Sequence, residues 1–248
     1  MYSGSAFLRP APAIRRIEQR ATECLKRCCR KLRLGEVPLP VPVDDWIEGP
    51  LGIRFGITDL SHLGANVVGA AFLKDREILI SEAVVSQEAR YRFTCAHELG
   101  HLVLHENVRN TFQETDTGRF SRFQPYERQA DRFAAAFLMP VPLLVRELFR
   151  VCEQYRLRQR ECIVELMMDT PESAWLWKRR FLPALTRTFG VSLTAALHRF
   201  QDIRLHDGKP FLLPEHLEKL LRPGQADEDL ATVRIVDGVP RRLARKEA

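Results

Sequence analysis

The sequence predicts an α+β fold, a small β-sheet packed on two helices and followed by a helical C-terminal part. Three observations predict it. Runs rich in β-branched and aromatic residues fall at 53–57, 67–73 and 77–81, bounded by turn residues. From 87 to 105 and from 126 to 140 the apolar residues recur at intervals of three and four, the spacing of one helix face. After Pro140 that spacing returns at 142–148, 174–189 and 193–203, with only short strand-like pieces beyond.

Taken in order, residues 1–10 are expected to form a mobile tail. Ile14, Ile17, Ala21, Cys24, Leu25 and Cys28 then recur at helical spacing among arginines, predicting an amphipathic helix from residue 12 to about 34 with a solvated polar face. Pro38, Pro40 and Pro42 forbid a helix across 37–43 and mark a linker, so the central domain is expected to begin near residue 36. A short helix opens at 43–46, the strand at 53–57 follows, and 67–73 pairs with 77–81 as a hairpin across Lys74, Asp75 and Arg76. The polar stretch 106–124 is long for a connection and joins two helices, so it is expected to border a cleft. The segment 151–172, rich in Arg, Glu and Cys, has no clear placement.

Farther on, a turn at Gly190 and a cap at Ser192 between two helical stretches give the outline of a helix-turn-helix. Its second helix offers His198, Arg199, Gln201 and Arg204, fewer basic groups than a recognition helix uses, which favours packing or partner docking over DNA reading. Pro214–Leu221 reads as a further helix, ahead of a frayed basic end. The expected division is therefore 1–35, a basic amphipathic helix; 36–150, the central domain; 151–208, a helical region; and 209–248, an extension.

Composition limits the functional classes. At 248 residues, with 45% apolar and 28% charged residues, the chain is ordinary globular protein with room for one good core or two small ones. Thirty-eight Lys and Arg against 32 Asp and Glu give a net charge of +6, concentrated at 15–33, 155–160 and 241–246. That excess permits an acidic partner, but no base-reading motif accompanies it, and direct nucleic-acid binding is not expected. The longest apolar run, 133–145, contains two prolines and is short of the ~20 residues of a membrane span, and no signal peptide is visible, so a cytoplasmic protein is expected. Cys24, Cys28, Cys29, Cys95, Cys152 and Cys162 form no paired framework and read as free thiols. Cys24 and Cys28 stand four apart, but no second pair accompanies them as a metal site would need.

The stretch 91–105 contains His97-Glu98-Leu99-Gly100-His101, the pattern His-Glu-x-x-His. On a helix, positions i and i+4 lie one above the other, so both imidazoles can reach one ion while Glu98 stands beside it. Zinc held this way acidifies water to a pKa of about 7, and an adjacent carboxylate can take the proton as the water attacks a carbonyl. The pattern thus points to metal-assisted hydrolysis, most often of a peptide bond. Gly100, about 1 kcal/mol worse than Ala in a helix interior, suggests that another element approaches closely there.

A catalytic zinc needs a third protein ligand and an open fourth position. His105 lies about 12 Å along the helix axis from His97, too far to share its ion, and reads as an outer partner or a packing residue. The longer pattern H-E-x-x-H-x-x-G-x-x-H would need Gly and His where Leu104 and Asn107 stand. There remains a carboxylate from the following helix. At 126–140, Glu127, Ala130, Asp131, Ala134 and Leu138 share a face, and the small residues let that face come near Gly100. Glu127 then faces the histidines, and Asp131, one turn on, is placed to accept the outer ring N–H of a ligand histidine. Arg119, Arg122 and Tyr126 are candidates for stabilising a developing oxyanion. A two-His, one-carboxylate set also suits Fe2+, Mn2+ or Co2+, and the motif alone favours Zn2+.

The segment 97–105, followed by Glu127-Arg-Gln-Ala130-Asp131-Arg-Phe133-Ala134-Ala-Ala-Phe-Leu138-Met139-Pro140, resembles the ImmA/IrrE family of bacterial metallopeptidases over residues 36–145. The resemblance implies a zincin-like, gluzincin-type core with zinc held by His97, His101 and Glu127, and with Glu98 as general base. It further implies an intracellular protein substrate, a helix-turn-helix repressor, in DNA-damage, stress or mobile-element regulation. In zinc peptidases of this architecture the substrate joins a sheet edge beside the active-site helix, and the edge is expected from the hairpin at 67–81. The alternative is a regulator that keeps the zinc fold without hydrolysis and binds protein or DNA through its C-terminal helices.

Overall fold

A computed structural model describes residues 8–64, 66–106, 111–115, 124–222 and 232–242. By packing, the chain divides into two compact units, one of residues 12–140 and 188–192, the other of 1–11, 141–187 and 193–248. The first element, β1 (Leu8–Pro10), belongs to the second unit.

The first unit starts with a 3-10 turn at Pro12–Ile14 that leads into α1 (Arg15–Leu32). Its apolar stripe, Ile17, Ala21, Cys24, Leu25 and Cys28, is buried. Arg33, in the left-handed conformation, ends the helix, and the Leu34 N–H returns to the Cys29 carbonyl at 2.9 Å. Next come α2 (Val43–Glu48), β2 (Arg54–Thr58), the hairpin of β3 (Val67–Phe72) and β4 (Glu77–Ser81), and a one-turn α3 (Glu82–Val85) capped by the Ser81 hydroxyl. The helix α4 (Glu88–Leu104) carries the His-Glu-x-x-His pattern, and β5 (Thr111–Thr115) and α5 (Gln124–Leu138) complete the unit.

The sheet has the order β2-β4-β3-β5, with β2 parallel to β4 and the other pairs antiparallel. Its edges are therefore β2 and β5, and the hairpin expected to supply the edge is interior. The polar connection after α4 provides β5, which pairs with the backbone of β3 from Phe72 back to Val67, with a register shift between Val67 and Gly69. A segment that reads as loop on its own becomes a strand because β3 offers it unpaired backbone groups.

Helix α4 packs across β3 on one side and against α5 on another. The sequence expectation at Gly100 holds: a Cβ there would stand 3.2 Å from the Ala130 Cα and carbonyl oxygen and from the Phe133 Cβ. Phe133 stacks on Phe137 with ring centres 5.9 Å apart, and Trp46 of α2 meets Phe137 edge-on at 6.3 Å. Helix α1 also packs on α5, and Arg20 donates to the Val103 carbonyl at 3.1 Å, tying α1 to the last turn of α4.

The second unit contains α6 (Val141–Gln154), α7 (Gln159–Leu166) and α8 (Pro171–Leu176), whose N-cap is the Thr170 hydroxyl. The segment left unplaced at 151–172 thus ends α6, forms α7 and opens α8. A π-helical turn at Trp177–Phe181 runs on into α9 (Leu182–Phe189), followed by α10 (Leu193–Gln201), β6 (Ile203–Leu205), α11 (Pro214–Leu221), and a hairpin of β7 (Val233–Val236) and β8 (Val239–Arg242). Residues 8–10, expected in a mobile tail, instead pair antiparallel with β6, Leu8 opposite Leu205, with Leu8 buried. The core centres on Trp177, edge-on to Phe200 at 4.9 Å and to Phe211 at 6.3 Å, its indole N–H donating to the Leu166 carbonyl at 2.9 Å. Residues 189–193 do contain a glycine turn between helices, with Gly190 at φ 62°, but Arg199 of α10 is fully buried and so is not on a DNA-reading face.

His216 of α11 is 1% exposed, and among the described residues neither ring nitrogen has a hydrogen-bond partner. Burial pushes its pKa below the ordinary 6.5, outweighing the attraction of Asp169. The unfolded chain therefore binds this proton more readily than the folded one. The stability that follows is complete above pH 6.5 and is lost as the pH falls from 6.5 toward the depressed folded value. His216→Leu should flatten that acid arm and stabilise the neutral-pH protein by about 1–2 kcal/mol, as read by urea unfolding at pH 8 and pH 5.

Candidate metal centre

Three side chains from two helices converge at the face of α4 that α5 covers. His97 and His101, one turn apart, are 2% and 0% exposed. Because Gly100 and Ala130 bring the helices together, Glu127 in the first turn of α5 reaches both. His97 Nε2 and His101 Nε2 are 3.0 Å apart, and each is 3.3 Å from Glu127 Oε2. Ligand atoms bound at 2.0–2.1 Å to one tetrahedral ion stand about 3.3 Å apart, so this donor set fits such an ion. Among the described residues it is the group of His, Cys, Asp and Glu side chains close enough to hold a metal.

The protonation states suit that use, since metal ligands must be neutral imidazole and ionised carboxylate. Burial lowers the His101 pKa to about 4 despite its hydrogen bond with Glu127. Burial acts to raise the Glu127 carboxyl, but hydrogen bonds and charge from His101 and His97 override it and hold the pKa at about 2.

The outer nitrogens are held as well. His97 Nδ1 lies 2.9 Å from Asp131 Oδ1, the partner expected from the sequence. His101 Nδ1 lies 3.0 Å from His105 Nδ1, which places His105 as an outer partner rather than a ligand, and His105 Nε2 lies 3.1 Å from Gln129 Oε1. The Tyr126 ring stands edge-on to His105 at 5.0 Å. Arg119 and Arg122, the other oxyanion candidates, lie outside the described residues.

Glu98 is fully buried on α4. Its carboxyl occupies the space left by Gly69 on β3: a Cβ at Gly69 would stand 2.6 Å from Glu98 Oε1 and 2.8 Å from Thr94 Cγ2. Two residues of the site were missed in the sequence. Gly69 carried a usable signal, a glycine inside an apolar strand where backbone meets another element closely. Gln129 carried none, because it lies about 200° round the helix from Glu127, off the face that the small residues mark.

A family model for the IrrE N-terminal-like domain, Peptidase_M78, matches residues 53–201, more than half of the chain. The chain belongs to this family. The Peptidase_M78 match takes in the sheet, α4, α5 and the helices through α10, reaching well past residue 145, where the sequence resemblance stopped. Membership makes this a metallopeptidase-type domain and agrees with the use of the His-His-Glu group for a metal ion. No curated protein matches the chain. No helix among the described residues is long and apolar enough to cross a membrane.

Gly69→Ala tests the packing around Glu98. The added methyl must displace the carboxyl, and a displacement on the order of 1 Å reduces turnover about 100-fold. Peptidase activity should fall by about that factor, while metal content by atomic absorption stays at the wild-type level. Wild-type turnover in Gly69→Ala would mean that the position of Glu98 is not fixed by β3.

Proposed function

We propose that this chain is a zinc-dependent endopeptidase that cuts one specific protein in the cytoplasm, and that its substrate is a helix-turn-helix repressor of stress or mobile-element genes. The observation that carries the peptidase reading is the convergence of His97, His101 and Glu127 donor atoms within 4.8 Å of one another, with Glu98 buried one residue along α4. Family membership supports it, and the repressor class rests on the motif resemblance at 97–140. Zinc is favoured over Mn2+ or Fe2+ by the His-Glu-x-x-His pattern.

When bound, a divalent ion acidifies water and polarises a carbonyl. Glu98 accepts the proton of the attacking water on its carboxylate and delivers it to the nitrogen of the departing amine. Asp131 and His105 fix the ring orientations of His97 and His101, so that both Nε2 lone pairs face one point. Tyr126, beside His105, is assigned to donate a hydrogen bond as negative charge builds on the carbonyl oxygen.

Glu98→Gln keeps the size of the side chain and removes the base. Zinc binding should be retained and cleavage should drop at least 100-fold, the contribution typical of a general base. Wild type and Glu98→Gln, expressed in the same cells with and without DNA damage, should differ in new protein termini seen by mass spectrometry. A few Glu98-dependent cuts, one of them in a repressor, are the expected result. A Glu98→Gln protein that still cleaves would overturn the mechanism, and cuts confined to other protein classes would overturn the substrate assignment.

A further inference from the structure

The chain's net positive charge matches what one helix and its C-cap carry. Residues 15–33 hold eight Lys and Arg against two Glu, a surplus of six, while the rest of the chain carries 30 of each sign. α1 buries one stripe, Ile17, Ala21, Cys24, Leu25 and Cys28, and every Lys and Arg along it is exposed. At about 100° per residue, the seven cations from Arg15 to Lys31 fall within about 160° of the helix circumference, on the side away from that stripe.

This arc is almost free of compensating charge. Of the two acids, Glu18 is 7% exposed and Glu23 is held by Arg20 at 3.4 Å. Arg15, Arg16, Lys26, Arg27, Arg30 and Lys31 make no side-chain hydrogen bond or ion pair among the described residues. Like charges stand four apart at Arg16 and Arg20, at Lys26 and Arg30, and at Arg27 and Lys31, and Arg15 and Arg16 lie at the positive end of the helix dipole. Each of these placements weakens the helix on its own and becomes favourable once anions lie along it.

We infer that the exposed face of α1 is a docking surface for double-stranded DNA, which it binds along the phosphate backbone without reading sequence. From Arg15 to Lys31 is about 24 Å along the axis, the length of about seven phosphates on one strand of a duplex. Five of the seven cations are Arg, whose planar fork suits phosphate oxygens. The sequence expectation against nucleic acid rested on the lack of a base-reading motif, and backbone contacts need none. Other occupants lack a counterpart on this face. A partner protein calls for an apolar or aromatic centre to the interface, and a single strand calls for aromatic stacking platforms; the arc has neither. A membrane-surface helix sinks its apolar face into lipid, and that of α1 is buried in the first unit, leaving Leu32 and Leu34 at its end as the exposed large apolar residues. Duplex RNA is told apart by its 2′-hydroxyl donors, and the one carboxylate on the arc, Glu23, is taken by Arg20.

This inference does not depend on the metal centre. Two short labelled DNA duplexes of unrelated sequence are titrated with the whole protein, read by fluorescence anisotropy, across about 50–200 mM salt. Both should bind alike. The slope of log K against log salt should be about −5, from about six neutralised phosphates, so that affinity falls about 1,000-fold over that range. Arg16→Gln, Arg27→Gln and Arg30→Gln together should reduce the slope to about −3, and Arg16→Lys, Arg27→Lys and Arg30→Lys should restore it. Arg156→Gln, Arg158→Gln and Arg160→Gln, at exposed positions of the second unit, remove the same charge elsewhere and should leave the slope unchanged. Duplex RNA and vesicles of phosphatidylcholine with phosphatidylserine serve as competitors and should displace the DNA less well than unlabelled duplex does. Absence of duplex binding at the lowest salt, a preference for one sequence, an equal loss in the two Gln triples, or stronger competition from RNA or vesicles than from DNA overturns the inference. Equal loss in the two triples would mean that the DNA answers to net charge and not to α1.

Discussion

The contact on which the rest of this protein depends is the approach of two helix backbones at Gly100 and Ala130. The site has no ligand set on either helix alone. α4 holds two imidazoles, α5 holds a carboxylate, and the 3.0–3.3 Å spacing of their donor atoms exists only because nothing larger than hydrogen stands at position 100. Residues Ala130, Ala134 and Phe133, all fully buried, give α5 the small-and-flat face that meets that glycine. A glycine that weakens its own helix by about 1 kcal/mol is compensated by the packing it permits. Glu98 repeats the arrangement on the opposite side, where Gly69 yields the space a strand side chain would fill.

Around that contact the polar groups are arranged in order of charge. The carboxylates of Glu127 and Asp131 lie toward the more open side, with side chains 29% and 54% exposed, while the imidazoles are buried. Burial lowers the His101 pKa, and hydrogen bonds with His101 and His97 hold Glu127 ionised. An ionised Glu127 beside the buried His101 ring is a pairing that suits a cation.

Much of this was legible in the sequence where the determinant is local. The spacing of His97 and His101, the small-residue face of α5, the hairpin at residues 67–81 and the helix Pro214–Leu221 all follow from periodicities within a dozen residues. The position of Glu127 was also legible, because Gly100 and Ala130 advertise a close approach from both sides. What escaped depends on partners far along the chain. Strand β5 is polar and short and forms only because β3 has a free side; β1 forms only because β6, nearly 200 residues later, accepts it. The edge of the sheet was misassigned for the same reason, since a hairpin does not reveal what pairs with its outer flanks. Gln129 escaped because its contact is with the His105 ring of another segment, not with a neighbour on its own helix.

The pairing of β1 with β6 also dictates an order of events at the ribosome. A strand made among the first ten residues has its partner only after Ile203–Leu205 has been synthesised, and at 5–20 residues per second that interval is roughly 10–40 seconds. The first unit is interleaved in the same way, since residues 188–192 belong to it although 141–187 belong to the other. Neither unit can be completed while the chain is still short. A candidate metal group whose residues are all made by residue 127 thus belongs to a unit whose last residues, 188–192, come only when about three quarters of the chain exists.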